Sequence, residues 1–166
     1  LRECSRIKSG TGGYDAIHYT IDLTVDVDRN FIQGTSTLEA RATELLSTFS
    51  LDLHGLTVDS VTVNDLPASI NRFLSELVVT TAEPLQTGQT FTVTTAYRGV
   101  PSPVADASVP GEVVGWVFDQ GTIFVASEPS GAMNWYPVNN HPTDKATYSF
   151  KIMVPEPYVV AANGLL

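Results

Sequence analysis

Ile17-His18-Tyr19-Thr20-Ile21-Asp22-Leu23-Thr24-Val25-Asp26-Val27-Asp28 alternates apolar and polar residues without a break. Period two places Ile17, Tyr19, Ile21, Leu23, Val25 and Val27 on one face and the polar residues on the other, which predicts a strand with one buried and one wet side. A helix would scatter the same apolar residues around its circumference. Asp28-Arg29-Asn30 then reads as a turn. Beyond it, Ile32, Gly34, Ser36, Leu38, Ala40 and Ala42 carry a second strand with small residues at several inward positions.

The same grammar continues along the chain. Leu51 and Leu53 mark a third strand, and Val58, Val61 and Val63 a fourth that Asn64-Asp65-Leu66-Pro67 closes with turn residues. Leu74 to Thr80 and Thr90 to Tyr97 follow, rich in the Thr, Val, Phe and Tyr that half-buried pleated surfaces favour. Gly99 to Gly115, with Pro101, Pro103, Pro110 and Gly111, reads as a long surface excursion. Val113–Val117 and Thr122–Ala126 read as a hairpin around Asp119-Gln120-Gly121. Lys145–Val154 and Tyr158–Ala162 read as the last strands, split by Pro155-Glu156-Pro157. No window carries an apolar stripe at helical period. Short strands with turn signals every eight to twelve residues or so predict an all-β class, an antiparallel sandwich or related open sheet. Residues 1–13, polar and glycine-rich, read as a leader or linker, and residues 14–166 as one domain.

Nine Lys and Arg against eighteen Asp and Glu give a net charge of −9. That balance argues against nucleic acid, which requires clustered cations, and against adsorption to an anionic membrane. A chain of 166 residues can bury about 70% of its extended surface, enough for a core without covalent staples. Cys4 is the sole cysteine, so it forms no internal disulfide and builds no cysteine-type zinc site. No run of about 18 apolar residues is present to span a bilayer. The compartment is left open by these features.

Three segments together carry a resemblance. They are Gly13-Tyr14-Asp15-Ala16-Ile17-His18-Tyr19-Thr20-Ile21-Asp22-Leu23, then Ile32-Gln33-Gly34-Thr35-Ser36 followed by Leu51-Asp52-Leu53-His54-Gly55-Leu56-Thr57-Val58, and finally Trp135-Tyr136-Pro137-Val138-Asn139-Asn140-His141-Pro142-Thr143-Asp144-Lys145-Ala146-Thr147-Tyr148. In order and spacing they resemble the N-terminal domain of the aminopeptidase N-like zinc peptidases, the gluzincin family that includes leukotriene hydrolase. The resemblance implies a saddle-shaped, sandwich-like β domain packed against a thermolysin-like catalytic domain of the same chain. It also implies zinc in the intact enzyme, held by H-E-x-x-H and a downstream Glu, and a peptide substrate with a free N-terminus. None of those ligands lies in this sequence, where His18, His54 and His141 never pair as H-x-x-x-H or H-x-H. The fragment alone is therefore expected to hold no cofactor and to cleave nothing. Asn163-Gly164, a pair that normally leads into a partner strand, adds to the expectation of a domain cut from a longer protein. Loss of the catalytic partner is expected to expose apolar surface and favour self-association of the fragment.

Within Glu128-Pro129-Ser130-Gly131-Ala132-Met133-Asn134-Trp135-Tyr136-Pro137, the resemblance makes Glu128 the first candidate site residue. Family members place a Glu or Gln there to hold the substrate's α-ammonium. A fixed carboxylate in a partly dry pocket binds such a cation strongly and rejects peptides that lack it. Ala126, Gly131 and Ala132 are the accompanying substrate-binding candidates. Many relatives carry Gln where this chain has Ala126, which puts a pocket-lining role for that position in doubt; Val138 and Asn140 stand where Cys and Asp are frequent. Gly131-Ala132-Met133-Asn134 is similar to the family's substrate-gripping G-A-M-E-N, but it lacks the Glu and lies in the wrong segment, so it reads as coincidence. Trp135 and Tyr136 read as packing residues. Asp144 and Lys145 read as a structural pair. Asp22, Asp26 and Asp28, spaced about 7 Å along a strand, are too spread to wrap one calcium at about 2.3–2.6 Å. The competing reading of the whole chain is a stand-alone sandwich for adhesion or carbohydrate binding, since such folds host many functions.

Overall fold

The computed structural model describes residues 12–165. The first eleven residues, with Cys4 and most of the expected leader, lie outside that range. Twelve strands run in chain order: β1 (Tyr14–Asp26), β2 (Phe31–Ala42), β3 (Leu46–Asp52), β4 (Thr57–Val63), β5 (Leu66–Pro67), β6 (Ser69–Phe73), β7 (Glu76–Leu85), β8 (Thr90–Gly99), β9 (Val104–Ala105), β10 (Val113–Asp119), β11 (Thr122–Ala126) and β12 (Thr147–Met153). One 3₁₀ turn, Gly131–Asn134, is the sole helical element among the described residues. The fold is all-β, as the period-two pattern requires.

Six strands form the main sheet in the order β12-β1-β2-β8-β4-β5; β3-β7-β6 and β11-β10-β9 form two smaller sheets. Pairing is antiparallel except at the edge, where β12 runs parallel to β1 with Tyr19 opposite Tyr148 and Ile21 opposite Phe150. The inner face of the main sheet carries Tyr14, Ile21, Leu23, Ile32, Leu38 and Phe91, all buried, and meets Phe49, Leu51, Leu77 and Val79 of the β3-β7 layer. Tyr14, Phe49 and Phe91 clasp the two layers, with ring centroids 5.5 to 6.2 Å apart, and the Tyr14 hydroxyl donates to the Ser50 carbonyl at 2.9 Å. The outer face is wet. Ser149, Thr20, Thr37, Thr94 and Thr62 stand opposite one another across five strands, and the Thr37 and Thr94 hydroxyls bond at 3.2 Å. Such rows suit a solvated pleated surface because β-branched side chains fit it while their hydroxyls stay hydrated or paired.

Several elements differ from expectation for identifiable reasons. Strict alternation puts Ile17 inward, but a register shift between Ala16 and His18 makes residue 17 a bulge. Tyr14 and Ala16 are buried in its stead, while Ile17 is half-buried. The bulge frees the Ala16 N–H to donate to both Asp144 carboxylate oxygens at 3.2 Å and lets the Ile17 carbonyl accept the Thr147 hydroxyl. A second shift at residue 59 explains why Val58, Val61 and Val63 break period two. Asn64 and Asp65, both at positive φ, form the turn alone, so Leu66 and Pro67 belong to β5. Leu74, expected to begin a strand, sits at φ 56° in the tip between β6 and β7. Tyr158–Ala162 is not a strand: Pro155 and Pro157 offer no N–H, and a turn from Tyr158 N–H to the Pro155 carbonyl at 3.0 Å redirects the chain. Asp144 does not pair with Lys145; it is taken up by Ala16 and by the Asn139 amide.

Candidate functional site

The site is a turn that hangs from a hairpin. β10 and β11 pair with Gly115 opposite Ala126, and Gln120 and Gly121, both at positive φ, close the hairpin as expected. β11 hands the chain to Ser127, whose carbonyl accepts the Gly131 N–H at 2.7 Å and whose hydroxyl accepts the Trp135 indole N–H at 3.1 Å. Glu128 and Pro129 therefore form the outside of a closed loop. Ser130 is held from both ends, its hydroxyl donating to Asp106 and its carbonyl accepting the Asn140 amide at 2.8 Å. Hydrogen bonds from Ser108 first, then from Ser130, hold the Asp106 carboxyl below the ordinary carboxylate range.

Beneath the loop the packing is main chain on main chain. A Cβ on Gly131 would lie 2.3 Å from the Gly115 nitrogen, and one on Gly115 would lie 2.4 Å from the Asn134 Oδ1. Gly115 also needs its glycine for backbone reasons, at φ 99°. Asn134 is wholly buried. Its Oδ1 accepts the Trp116 N–H at 2.9 Å and its Nδ2 donates to the Ser102 carbonyl at 2.9 Å, so one amide binds the turn to β10 and to the Pro-rich excursion. Trp135, buried as expected, stacks on Phe150 at 6.2 Å and meets Tyr136 edge-on at 4.5 Å. Tyr148 continues the row between Phe150 and Tyr19. The Tyr19 and Tyr136 hydroxyls are pushed well up, chiefly by burial.

The segments that carry the resemblance converge on this turn. Asp52 and Val138 exchange backbone hydrogen bonds at 2.7 and 3.0 Å, and the His54 N–H donates to the Met133 carbonyl at 2.6 Å. The Tyr19 hydroxyl accepts the Asn139 N–H at 3.0 Å. β1, the Leu51–Leu56 stretch and the Trp135–Asp144 stretch are thus one hydrogen-bonded unit, which gives a physical reason for their occurring together.

Of the four candidate residues, Glu128 and Ala126 are exposed, Ala132 is half-buried and Gly131 is buried against Gly115. Among the described residues the Glu128 carboxylate has no hydrogen-bond or ion-pair partner, although the backbone on both sides of it is tied down. Ser127, Trp116 and Asp106, which build the turn, carry no sequence signal and are recognisable only through a contact; Asn134 lies in the quoted Gly131-Ala132-Met133-Asn134 run, but its role comes from its contacts and not from that likeness. No group of three or more His, Cys, Asp or Glu among the described residues could hold a metal. The three histidine rings bond to hydroxyls of Thr147 and Ser149, of Ser75 and of Thr143. Asp22, Asp26 and Asp28 each have a separate partner in Lys151, Arg29 and Tyr158.

Residues 15–165 match the Peptidase M1 N-terminal domain family. The chain belongs to that family. Among solved structures, this M1 domain is similar to a two-domain M1 zinc metallopeptidase variant bound to L-arginine, with 33% identity and a TM-score of 0.87 over 94% of this chain and 36% of that one. It is equally similar to an M1 zinc metallopeptidase variant from Deinococcus radiodurans bound to a Tyr-Ser-Ala substrate, with 33% identity, a TM-score of 0.86 and the same coverage. Native yeast LTA4 hydrolase, at 21% identity and a TM-score of 0.69 over 94% of this chain and 26% of that one, shares the fold. The M1 domain thus spans about a third of the length of the two-domain enzymes. No curated protein matches it.

Proposed function

We propose that this M1 domain is the non-catalytic N-terminal part of a zinc metalloaminopeptidase, where it caps one side of the active site and offers the Glu128 carboxylate to the α-ammonium of a peptide's first residue. The observation that carries this reading is the contrast at residue 128. Its backbone neighbours are fixed by four hydrogen bonds, yet its carboxylate is exposed and uncommitted. A preorganised anion of that kind costs little to orient when a cation arrives. Ala126 and Ala132 would border the same pocket with small side chains, and Gly131 would serve it by letting the turn lie against β10. Peptide and amino-acid ligands in the similar two-domain enzymes agree with a substrate of this class.

The catalytic domain would follow in the same chain and would supply both zinc and its ligands. No step of the hydrolysis is assigned to residues 12–165. Exposed apolar side chains, Phe118 and Val125 on one face of the hairpin, Phe124 on its other face, and Tyr148 and Phe150 on β12, are of a kind that such a partner would cover.

The test uses the intact protein and short peptides with free or acetylated N-termini. Cleavage should be confined to free termini. Glu128→Ala should raise KM by about ten- to a hundred-fold, the range expected for a lost charge-assisted hydrogen bond, with a smaller change in kcat. Equal activity on acetylated peptides, or an unchanged KM in the variant, would remove Glu128 from substrate binding.

A further inference from the structure

We infer that Ser127 is a positioning residue for Glu128, an inference that rests on the reading of Glu128 as the ammonium anchor. Its hydroxyl is the acceptor of the Trp135 indole N–H at 3.1 Å, and its carbonyl is the acceptor that closes the turn on Gly131 at 2.7 Å. Trp135 is itself immobile. It is 8% exposed and packed against Trp116, Tyr136 and Phe150. The indole is thus a fixed post, and Ser127 is the residue by which the chain is tied to it one position before Glu128. On the far side, Ser130 is tied to Asp106 and Asn140. These two ties leave Glu128 at the apex of a short, closed span.

The chemistry is specific to a hydroxyl. An indole N–H is a donor without acceptor capacity, so it needs an oxygen opposite it. Alanine at 127 leaves that donor unpaired and removes the tie while adding no bulk. The turn can then drift, and a displacement of the order of 1 Å at a binding group is costly. Phenylalanine at 135 removes the same bond from the other side and keeps an aromatic ring in the stack. Threonine at 127 keeps the oxygen.

The experiment measures binding of a non-cleavable tripeptide analogue with a free N-terminus and of its acetylated form to the intact protein by calorimetry, and takes the ratio of the two dissociation constants. A general loss of stability moves both constants together; displacement of Glu128 moves only the free-amine one. Ser127→Ala and Trp135→Phe should each reduce the ratio by about three- to ten-fold, the double variant should lose no more than either alone, and Ser127→Thr should restore most of the ratio. In a Glu128→Ala background, Ser127→Ala should change nothing further. An unaltered ratio in Ser127→Ala, with Glu128→Ala still abolishing discrimination, overturns the positioning role alone. An additive double variant, or a further loss in the Glu128→Ala background, also overturns it. If Glu128→Ala itself leaves the ratio unchanged, the anchor reading falls and the positioning role falls with it.

Discussion

Replacing Gly131 by alanine tests the proposition that the site turn is held by backbone contact with β10. The added Cβ would stand 2.3 Å from the Gly115 nitrogen, 2.5 Å from its Cα and 2.7 Å from the Val114 carbonyl carbon. All three are main-chain atoms, so no side chain can rotate away. Relief requires β10 and the turn to separate by roughly 1 Å, because carbon contacts settle near 3.5–4.0 Å. β10 cannot retreat freely, since Trp116 is buried and its N–H is bonded to Asn134. Overpacking of this kind costs about 1–3 kcal/mol, and weakening the Gly131–Ser127 hydrogen bond adds about 1 kcal/mol. The stiffer unfolded chain returns at most about 1 kcal/mol. The net expectation is a destabilisation of about 1–4 kcal/mol, seen in urea unfolding as a lower midpoint at unchanged slope and in heating as a fall of roughly 2–15 °C. Gly12→Ala is the control. Nothing lies within 4 Å of its Cβ, so its effect should stay within about 0.5 kcal/mol. If Gly131→Ala also stayed within that margin, the turn would be compliant, and a rigid platform for Glu128 would be untenable.

Two further outcomes follow from burial. Tyr14, Tyr19, Tyr97 and Tyr136 have hydroxyl pKa values raised chiefly by desolvation, whereas unfolded tyrosines titrate near 10. Their contribution is therefore complete below about pH 10 and is lost as pH climbs from there toward the folded values, because the unfolded state releases protons that the folded state keeps. Tyrosinate absorbance of these residues should rise together with the loss of β circular dichroism; early ionisation of buried tyrosines with the dichroism intact would contradict it. The exposed apolar side chains on the hairpin and β12 should make the 166-residue chain self-associate, and Phe118→Ser with Val125→Ser, on one face of the hairpin, should weaken that association. Sedimentation equilibrium giving a monomer for the parent chain would count against a docking surface there.

The fold was legible wherever burial imposed a period on the chain. β1 and β2 were read nearly residue by residue because one face meets the core and the other meets water. The misplacement of Ile17 has a non-local origin: the bulge is matched to Asp144, which lies 128 positions along the chain. β6 has no signature in the sequence because every one of its residues is exposed, so no alternation marks it. Tyr158–Ala162 shows the opposite failure. Its tyrosine and valines have strand-like composition, but Val159 is 89% exposed and no neighbouring strand among the described residues receives it. The parallel edge of β12 on β1 was equally invisible, since period two fixes which face is buried and says nothing about which strand lies alongside.

The candidate site was legible in a different way. Glu128 has no distinguishing mark in composition or spacing, and it was selected through resemblance to a family to which the chain does belong. What resemblance could not supply is the reason a carboxylate at that point would be useful. That reason lies in contacts that no motif reveals: Ser127 with Trp135, Asn134 with Trp116, Ser130 with Asp106. Together they convert an exposed loop, which would ordinarily lose considerable entropy on gripping a ligand, into a turn whose backbone is already ordered. On this account the conspicuous residue and the residues that make it effective are separable. Substitutions that spare Glu128 but loosen its turn should impair recognition of a free N-terminus while leaving the charge in place, which is the behaviour the Ser127 and Gly131 variants are designed to expose.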